Sequence, residues 1–417
     1  MSFQQGLSGL NTTSKSLEVI GNNIANANTY GAKGSRAEFA DMYAAALNGA
    51  GTNQIGIGVS LAAVSQQFTQ GSITATENPM DLALNGGGFF QLADSTGSLT
   101  YSRNGQFKVD QNGYIVNNGG LRLMGYMADG NGVIQPGAAV PLSLPTAGIE
   151  PAVTTGIDLE FNLDKRSDVT TPGTSMIDFD DPETYAEATE MTVYDAAGQP
   201  VTLSYYFQKT ADDTWNVYVR ANGTSAAGSD ADPQPVTTLT FSADGSTFTS
   251  SSNTLDVPTT VDADGVTTLA IPGIALDFSG STQYGSSFGV TNLDQDGYSA
   301  GSLSGITFDS SGVVMARYTN GQTKPAGQLQ LASFRNPQGL QPTGGNGWRL
   351  TYASGDPIVG TPASGAFGVV QAGALEESNV DLTGELVSMI TAQRNYQANA
   401  QTIKTMDQVM QTLVNLR

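Results

Sequence analysis

The chain of 417 residues contains no cysteine and no histidine. Structural zinc sites therefore lack their two main ligands, thiol catalysis is excluded, and a Ser-His-Asp triad cannot be built. Charged residues make up only 13% of the chain, which is about half of the fraction typical of globular proteins. These absences exclude several common catalytic and metal-binding chemistries before any motif is considered.

Basic residues are also scarce, with 17 Lys and Arg against 38 Asp and Glu, and the net charge of −21 is unevenly distributed. Residues 1–70 are neutral and residues 375–417 carry −2, so that residues 71–374 carry −19. Nucleic acids and anionic membranes both require a basic patch on a protein partner. We therefore expect neither of them as a partner.

Long apolar runs are absent as well. No run approaches the ~18 residues that a membrane span needs, so the sequence predicts no membrane insertion. Residues 1–10 lack a basic segment followed by a continuous apolar stretch, and no cleaved signal peptide is expected. On these grounds alone the chain would remain in the cytoplasm.

Glycine, by contrast, is abundant, with 50 residues, and nine Asn-Gly dipeptides are spread along the chain. Asn-Gly is the strongest short hairpin signal, because both residues tolerate the positive φ of a type I′ turn. The flanks of Asn104-Gly105 predict one such hairpin, and the alternating apolar residues of 201–207 and 215–219 predict half-buried antiparallel strands. The middle of the chain is therefore predicted to form antiparallel β domains.

The two ends of the chain have another pattern, in which apolar residues recur every three or four positions. This period of 3.5 predicts a helix with one apolar seam, which needs a partner helix to cover it. The N-terminal seam comprises Phe3, Leu7, Leu10, Leu17 and Ile24, and the C-terminal seam comprises Leu382, Leu386, Met389, Tyr396, Ile403, Met410 and Val414. The other faces carry Asn, Gln and Thr in place of the usual Glu and Lys.

Two interpretations of these helices are open. Each could be an ordinary amphipathic helix that packs on its own domain, or the two could pair and then bundle with copies of themselves. Matching seams at both ends and uncharged polar faces favour the second interpretation. We therefore predict an α+β multi-domain protein with paired, coiled-coil-like terminal helices and discontinuous, nested antiparallel β domains.

The pattern divides this fold into four parts. They are a terminal helical domain (1–30 and 379–417), a connector (31–70 and 361–378), a first β domain (71–145 and 285–360) and an outer β domain inserted within it (146–284). The near-neutral ends suit an inner layer of an assembly, because burying unpaired charge is costly. The acidic middle suits a solvated outer layer.

Two short motifs suggest chemistry only when they are considered alone. Residues 297–301 match the Gly-x-Ser-x-Gly elbow of hydrolases, but no helical pattern follows and the chain has no histidine. Residues 294–297 resemble the start of a calcium loop, but Gly305 stands where the twelfth-position acid is needed. Neighbouring carboxylates such as Glu376 and Glu377 are interpreted as solvated faces. We expect no catalytic residue, no metal site and no cofactor, and hence no enzyme.

Four sequence blocks, at 20–33, 80–90, 101–107 and 377–404, resemble in their order the shared signatures of the bacterial flagellar rod and hook protein family. The residues that carry this resemblance are Asn22, Asn23, Asn26, Gly31, Lys33, Gly86, Phe89, Phe90, Arg103, Asn104, Gly105, Phe107, Asn395 and Tyr396. The long β-rich stretch between the third and fourth blocks resembles the hook-type members. Distal-rod-type members are the nearest alternative.

This resemblance implies a structural subunit that polymerises with itself into a curved, flexible helical tube on the cell exterior. The tube would join the rod to the filament as a universal joint and serve as an export channel. The resemblance also implies export through the flagellar type III apparatus without a cleaved signal, which replaces the cytoplasmic location. Further implied partners are the hook cap, the distal rod, the hook–filament junction proteins and the hook-length ruler.

An extracellular β-rich adhesin or binding module is the alternative from a different class. It would explain the acidic, β-rich middle of the chain, but it would not explain the two matched helical seams. Loss of both termini discriminates the two interpretations, because a binding module would tolerate it and an axial subunit would no longer polymerise.

Overall fold

The computed structural model describes residues 2–42, 56, 58–130, 132–145, 148–170, 177–262 and 265–415. Two long helices lie near the ends of this range, α1 (Ser2–Asn26) and α2 (Leu382–Asn415). Short, mostly antiparallel strands in several sheets occupy the rest, which confirms the predicted α+β fold class. Neither helix, as far as it is described, combines the length and apolar character that a membrane span requires.

The chain forms two compact units. The terminal unit consists of Met1–Thr146, Gly305–Arg317 and Thr323–Arg417, and the inserted unit consists of Ala147–Ser304 and Tyr318–Gln322. Both helices therefore belong to the same unit, although almost the whole chain separates them in sequence.

The strands are numbered in chain order. The first ten are β1 (Ser35–Met42), β2 (Gly58–Gln66), β3 (Ile73–Ala75), β4 (Leu82–Asn85), β5 (Phe89–Ala93), β6 (Leu99–Ser102), β7 (Phe107–Val109), β8 (Ile115–Asn117), β9 (Arg122–Met127) and β10 (Val140–Pro141). The next twelve are β11 (Gly156–Asn162), β12 (Glu187–Tyr194), β13 (Pro200–Ala211), β14 (Thr214–Ala221), β15 (Thr224–Ser225), β16 (Gly228–Ser229), β17 (Asp232–Pro233), β18 (Thr237–Phe241), β19 (Phe248–Ser250), β20 (Thr254–Val257), β21 (Ile271–Asp277) and β22 (Gly289–Gln295). The last nine are β23 (Leu303–Phe308), β24 (Val313–Tyr318), β25 (Thr323–Leu329), β26 (Leu331–Ser333), β27 (Gln341–Gly344), β28 (Gly347–Arg349), β29 (Ile358–Gly360), β30 (Val369–Ala372) and β31 (Ala374–Glu376). Single 3-10 turns lie at Pro182–Thr184 and Pro337–Gly339.

The terminal unit is organised around one large sheet, whose main path runs β23-β24-β25-β9-β5-β6-β28-β27. An aromatic cluster covers this sheet, in which the rings of Tyr101 and Phe334 meet edge to face at 4.8 Å and Phe89 and Trp348 at 5.8 Å. Two small strand pairs, β3–β31 and β4–β30, join the region before the sheet to the segment that leads into α2. The terminal segments are thereby tied to the β body.

The inserted unit contains a sheet in the order β12-β13-β14-β18-β19 and another in the order β20-β21-β11-β22. The predicted alternation on β13 and β14 is present, because Leu203, Tyr205 and Phe207 are buried and so are Trp215 and Val217. These side chains and the inner faces of the other strands form one continuous apolar core. This unit is held together mainly by burial of apolar surface.

Two sequence expectations differ from the structure. The predicted hairpin at Asn104-Gly105 is wrong, because β6 pairs with β5 and β28 while β7 pairs with β8. Residues 285–304, expected in the first β domain, lie in the inserted unit, since β22 pairs with β11. The segments expected as connectors contribute paired strands, β1–β2 before the sheet and β30 and β31 before α2.

Candidate functional site

The terminal helices pack against each other in antiparallel orientation. A methyl group added at Gly6 would lie 3.1 Å from Cγ1 of Ile403, and one added at Gly9 would lie 2.9 Å from Nδ2 of Asn399. Near the other end of α1, Nδ2 of Asn23 donates a hydrogen bond to Glu385 at 2.8 Å. Residue numbers on α2 therefore fall as those on α1 rise. In this register Ser2 lies opposite residue 406, so residues 407–415 of α2 extend beyond the first turn of α1.

Small residues on α1 bring the two helices close together. Gly6 and Gly9 bring the backbone of α1 close to α2, and Ile20 and Asn23 are the buried residues farther along the same face. Of the predicted N-terminal seam, Leu7 is 45% exposed, whereas Leu10, Leu17 and Ile24 are half-buried. The side chain of Phe3 lies outside the described residues.

The C-terminal seam is divided between two surroundings. Ile403 contacts α1, and Met389 is half-buried. The other described members, Leu382, Leu386, Tyr396 and Met410, are exposed, as are the neighbouring Val387 and Ile390. The side chain of Val414 lies outside the described residues. Helix α2 thus presents a long row of large apolar side chains that this copy of the chain does not cover.

A buried ion cluster ties the segments next to these helices to the β body. Nζ of Lys33, seven residues after α1, donates to Oε1 of Glu376 at 2.5 Å and to the carbonyl oxygen of Thr69 at 2.7 Å. Nη1 of Arg103 donates to the other oxygen of Glu376 at 3.1 Å. The side chain of Glu376 is wholly buried, and those of Lys33 and Arg103 are nearly so.

Further hydrogen bonds complete this cluster. The backbone amide of Gly71 donates to Oε1 of Glu376 at 3.0 Å, and Nη2 of Arg103 donates to the carbonyl oxygen of Gly86 at 2.7 Å. The guanidinium of Arg103 also lies over the ring of Phe89, 5.6 Å from its centroid. Four segments that are distant in sequence therefore meet at one carboxylate.

Burial lowers the pKa of Lys33, and the nearby charge and hydrogen bond of Glu376 oppose that shift. The pKa of Arg103 is lowered by burial in the same way, again against the effect of Glu376. Two buried cations share one carboxylate here, so the cluster tolerates no loss of its single anion. Its arrangement is suited to fixing geometry and offers no vacant position for a substrate.

Glu376 is the residue that the sequence interpretation missed. It was expected to lie on a solvated face with Glu377, and that expectation is wrong, because the final strand β31 pairs with β3 and turns this side chain inward. The signal that could have identified it is the lone basic residue in each of two motif blocks, since a buried Lys33 or Arg103 requires a carboxylate partner.

Close backbone contacts around the ion cluster require glycine at two of the motif positions, Gly31 and Gly105. Gly31 has φ +70° and donates to the carbonyl oxygen of Glu376 at 2.7 Å, and a methyl group there would lie 2.4 Å from the amide nitrogen of Asn104. A methyl group at Gly105 would lie 1.6 Å from the carbonyl oxygen of Leu82. Any side chain at either position would force the two backbone segments apart.

The remaining motif residues fall into three places. Phe90 and Phe107 are buried, with ring centroids 5.3 Å apart. Asn22, Asn23 and Asn26, at the end of α1, line a cavity of about 520 Å³ whose other walls include Phe68, Gln66, Asn346 and Trp348. Asn395 and Tyr396 lie on the exposed face of α2, away from the ion cluster.

Four family models match the chain. They are flagella basal body rod protein (residues 3–33), flagellar hook protein FlgE/F/G D1 domain (83–174), flagellar basal body protein FlaE D2 domain (162–298) and flagellar basal body rod FlgEFG protein C-terminal (371–416). The two helices lie almost wholly within the first and last of these, and most of the inserted core lies within the third.

Several full-length relatives are similar to the chain. The flagellar hook protein FlgE of Salmonella typhimurium is 42% identical over 422 residues, and that of Escherichia coli is 41% identical over 434 residues, with 100% of both chains covered in each case. The protein of the same name from Borreliella burgdorferi is 32% identical and is 99% covered. A crystal structure of the flagellar hook protein FlgE2 of Helicobacter pylori matches 72% of this chain and 99% of its own with a TM-score of 0.52 at 16% identity, which is a likeness of fold.

Proposed function

Because the chain belongs to the flagellar hook protein family and is a structural subunit of the hook, we propose that its terminal helices drive the polymerisation. In this proposal the exposed seam residues of α1 and α2 pack against the helices of neighbouring copies. The full-length relatives are hook proteins, so neither a distal-rod-type protein nor a β-rich adhesin is favoured.

One observation carries this proposal. Within the chain the two helices meet through Gly6 and Gly9, so Leu386, Val387 and Ile390 stay exposed in the single copy. Full burial of a side chain of this size contributes about 1.5–3 kcal/mol. Several such side chains per copy, repeated along a polymer, would outweigh the entropy lost when copies associate.

The overhang of α2 favours an open polymer over a closed pair. Residues 407–415 have no counterpart on the described part of α1, and Met410 within them is exposed. A contact between this overhang and a different surface on the next copy is heterologous, and such contacts build helical filaments when the rotation does not close.

We extend the proposal to a tube whose inner wall is made of these helices. The uncharged polar residues of α1 and α2 would face a lumen in which unfolded chains find few charges to bind, so that the tube also serves as an export channel. The acidic inserted unit would form the solvated outside. Unimpaired export after several Lys are placed on the polar helix faces would contradict the lumen assignment.

The finer assignments follow the same reasoning. We propose that the polymer is the curved universal joint between rod and filament, and that the chain reaches the cell exterior through the type III export apparatus without a cleaved signal. The distal rod, the hook cap, the junction proteins and the length ruler would be its further partners. We propose no enzymatic activity for it.

The test replaces two exposed apolar residues of α2, Leu386→Asn with Ile390→Asn, in the full chain. Both side chains are about half exposed, so the monomer should keep its thermal stability while polymerisation is lost. Electron microscopy and sedimentation of the purified chain, and of cells that carry it in place of their own hook subunit, measure the loss. The matched control, Val261→Asn with Leu269→Asn, removes equally exposed apolar residues from the inserted unit and should polymerise.

A second test removes both helices. A fragment of residues 71–374 should stay soluble and form no tubes, because it lacks every seam residue. Tubes of the same diameter from this fragment and from the full chain would show that the helices do not drive assembly.

A further inference from the structure

A single fully exposed tyrosine stands on the turn that follows β28. Tyr352 has a relative exposure of 104%. Among the other aromatic residues of the described β domains, the most exposed is Tyr284, at 46%. An aromatic side chain of this size contributes substantially to binding when a partner covers it. Nothing in the terminal helix pair or the ion cluster explains its position.

The turn that carries Tyr352 is held firmly. Oγ1 of Thr351 donates to the carbonyl oxygen of Gly339 at 2.5 Å, and Nδ2 of Asn336 donates to that of Ala353 at 3.0 Å. Ser354 is buried and accepts a hydrogen bond from the amide of Thr351 at 3.0 Å. Because the backbone is already ordered, covering Tyr352 costs little conformational entropy.

Exposed apolar residues flank this turn in sequence. Leu350 precedes it, and Ile358 and Val359 follow on β29, all between 44% and 49% exposed. Six residues of chain span at most ~20 Å, so Ile358 lies within that distance of Tyr352. In the described residues β29 pairs only with β26, which leaves its other edge open to a further strand.

The surrounding chain is almost free of charge. Residues 336–375 contain only Arg349 and Asp356 as charged residues, in a protein with a net charge of −21. Two copies of so acidic a protein repel each other unless their contact surfaces are close to neutral. This segment is therefore suited to contact with a second copy of the chain.

We infer that Tyr352 is the anchor of a contact between β domains of neighbouring copies, to which Leu350 and one exposed face of β29 contribute. Adjacent residues of a strand point to opposite faces, so only one of Ile358 and Val359 can share that surface. The inference rests on the proposed polymerisation and adds to it a second contact, independent of the helices. A subunit would then be held by its helices and by this surface separately. Loss of Tyr352 should therefore weaken the polymer and leave the helix contacts in place.

The absence of cysteine makes a direct test possible. In the variant Tyr352→Cys the single thiol should react with a maleimide rapidly in the monomer and at least about ten-fold more slowly in the polymer. Tyr284→Cys, in the inserted unit, is the matched control for a partly exposed tyrosine. A benzophenone attached at position 352 should then yield cross-linked products of twice the chain mass.

The outcomes separate this inference from the proposed function. Polymers of Tyr352→Cys whose thiol reacts as fast as it does in the monomer would overturn the β-domain contact and leave helix-driven assembly intact. Cross-links to a protein of another mass, without dimers of the chain, would overturn it as well. Polymers of Tyr352→Cys that dissociate more readily than those of Tyr284→Cys would support it, and failure of the unaltered chain to polymerise would overturn the proposed function itself.

Discussion

The terminal unit and the inserted unit are built on different physical principles. The terminal unit contains 13 basic and 15 acidic residues, whereas the inserted unit contains 4 basic and 23 acidic residues. Nearly all of the net charge of the protein therefore belongs to one unit. The near-neutral unit carries the helices that we propose to assemble, and the acidic unit carries the surface that keeps the assembly hydrated.

Their interiors differ as much as their charges. The inserted unit encloses a continuous apolar core with Trp215 at its centre, while the terminal unit joins its distant segments through a buried carboxylate with two cations. An apolar core stabilises through many contacts, each of which contributes little. A buried ion cluster stabilises little as a whole, but it fails when one partner is lost.

The two tryptophans of the chain allow this comparison to be measured, because Trp348 lies in the terminal unit and Trp215 in the inserted unit. Both indoles are buried, so unfolding of each unit should change the fluorescence of its own tryptophan. Single-tryptophan variants, in which the other is replaced by Phe, therefore report on one unit at a time.

The largest effect is expected from Glu376→Ala. It leaves Lys33 and Arg103 buried without an anion, which should lower the free energy of unfolding reported by Trp348 by about 3–5 kcal/mol. The transition reported by Trp215 should stay in place. The control Glu377→Ala removes the neighbouring carboxylate and should change neither transition, and an unaltered Trp348 transition in Glu376→Ala would contradict the role of the cluster.

A smaller effect, confined to the other unit, is expected from Leu203→Ala. Leu203 is fully buried in the inserted core, and the cavity left by its truncation should lower the free energy of unfolding reported by Trp215 by about 3 kcal/mol. Leu269→Ala, at an exposed position of the same unit, is the control. If Trp348 reported the same loss, the two units would unfold as one and the comparison would not hold.

Salt should act on the inserted unit more than on the terminal unit. Added NaCl screens the repulsion among its acidic residues, so the free energy of unfolding reported by Trp215 should rise by up to about 1 kcal/mol, with little change at Trp348. Neutralising two exposed acids, Asp158→Asn with Asp212→Asn, should reduce this dependence. Equal responses of both tryptophans would indicate that the charge imbalance has no energetic consequence.

The smallest effect is expected in acid. Hydrogen bonds from Arg166 lower the pKa of Asp164 to about 2, and hydrogen bonds from Ser242 and Ser246 lower that of Asp244 to about 2. The unfolded chain, with ordinary values near 3.8, binds protons first as the pH falls, so the contribution of both groups is present above pH 4 and is lost towards pH 2.

Denaturant titrations reported by Trp215 across this pH range measure the effect. Asp244→Asn should flatten the slope between pH 4 and pH 2. Because the carboxylate of Asp244 is exposed, the change should remain below those of the two core substitutions, and an identical slope in the variant would remove Asp244 from the explanation.

Much of the architecture followed from sequence patterns of short range. The alternation at Leu203, Tyr205 and Phe207 predicted strands, and the spacing of Leu382, Leu386 and Met389 predicted a helix, because burial on one face imposes a period. The periods do not say which face meets which partner. The contact between α1 and α2 includes Gly6 and Gly9, which carry no apolar side chain and so contribute nothing to a hydrophobic pattern.

The sequence predictions that were wrong have a common physical cause. Gly105 was interpreted as a hairpin residue, but it is required by the carbonyl oxygen of Leu82, which passes too close for any side chain. Glu376 was interpreted as solvated, but it is buried and paired with two cations, one of them 343 positions away in the sequence. Requirements set by long-range contacts leave little local signal. The lone Lys33 and Arg103 of their motif blocks imply a buried anion, but they do not say which carboxylate supplies it.

The hydrogen bond between Lys33 and Glu376 also has a consequence for the order of events during folding. It closes a loop of 343 residues, the interval between the two partners. Contacts of such long range form late, since the loop must be closed before they stabilise anything. A chain that ends early lacks Glu376 and leaves Lys33 buried without a partner or exposed. A chain that ends before Glu376 therefore cannot complete the terminal unit, whereas one that ends after it keeps the contact.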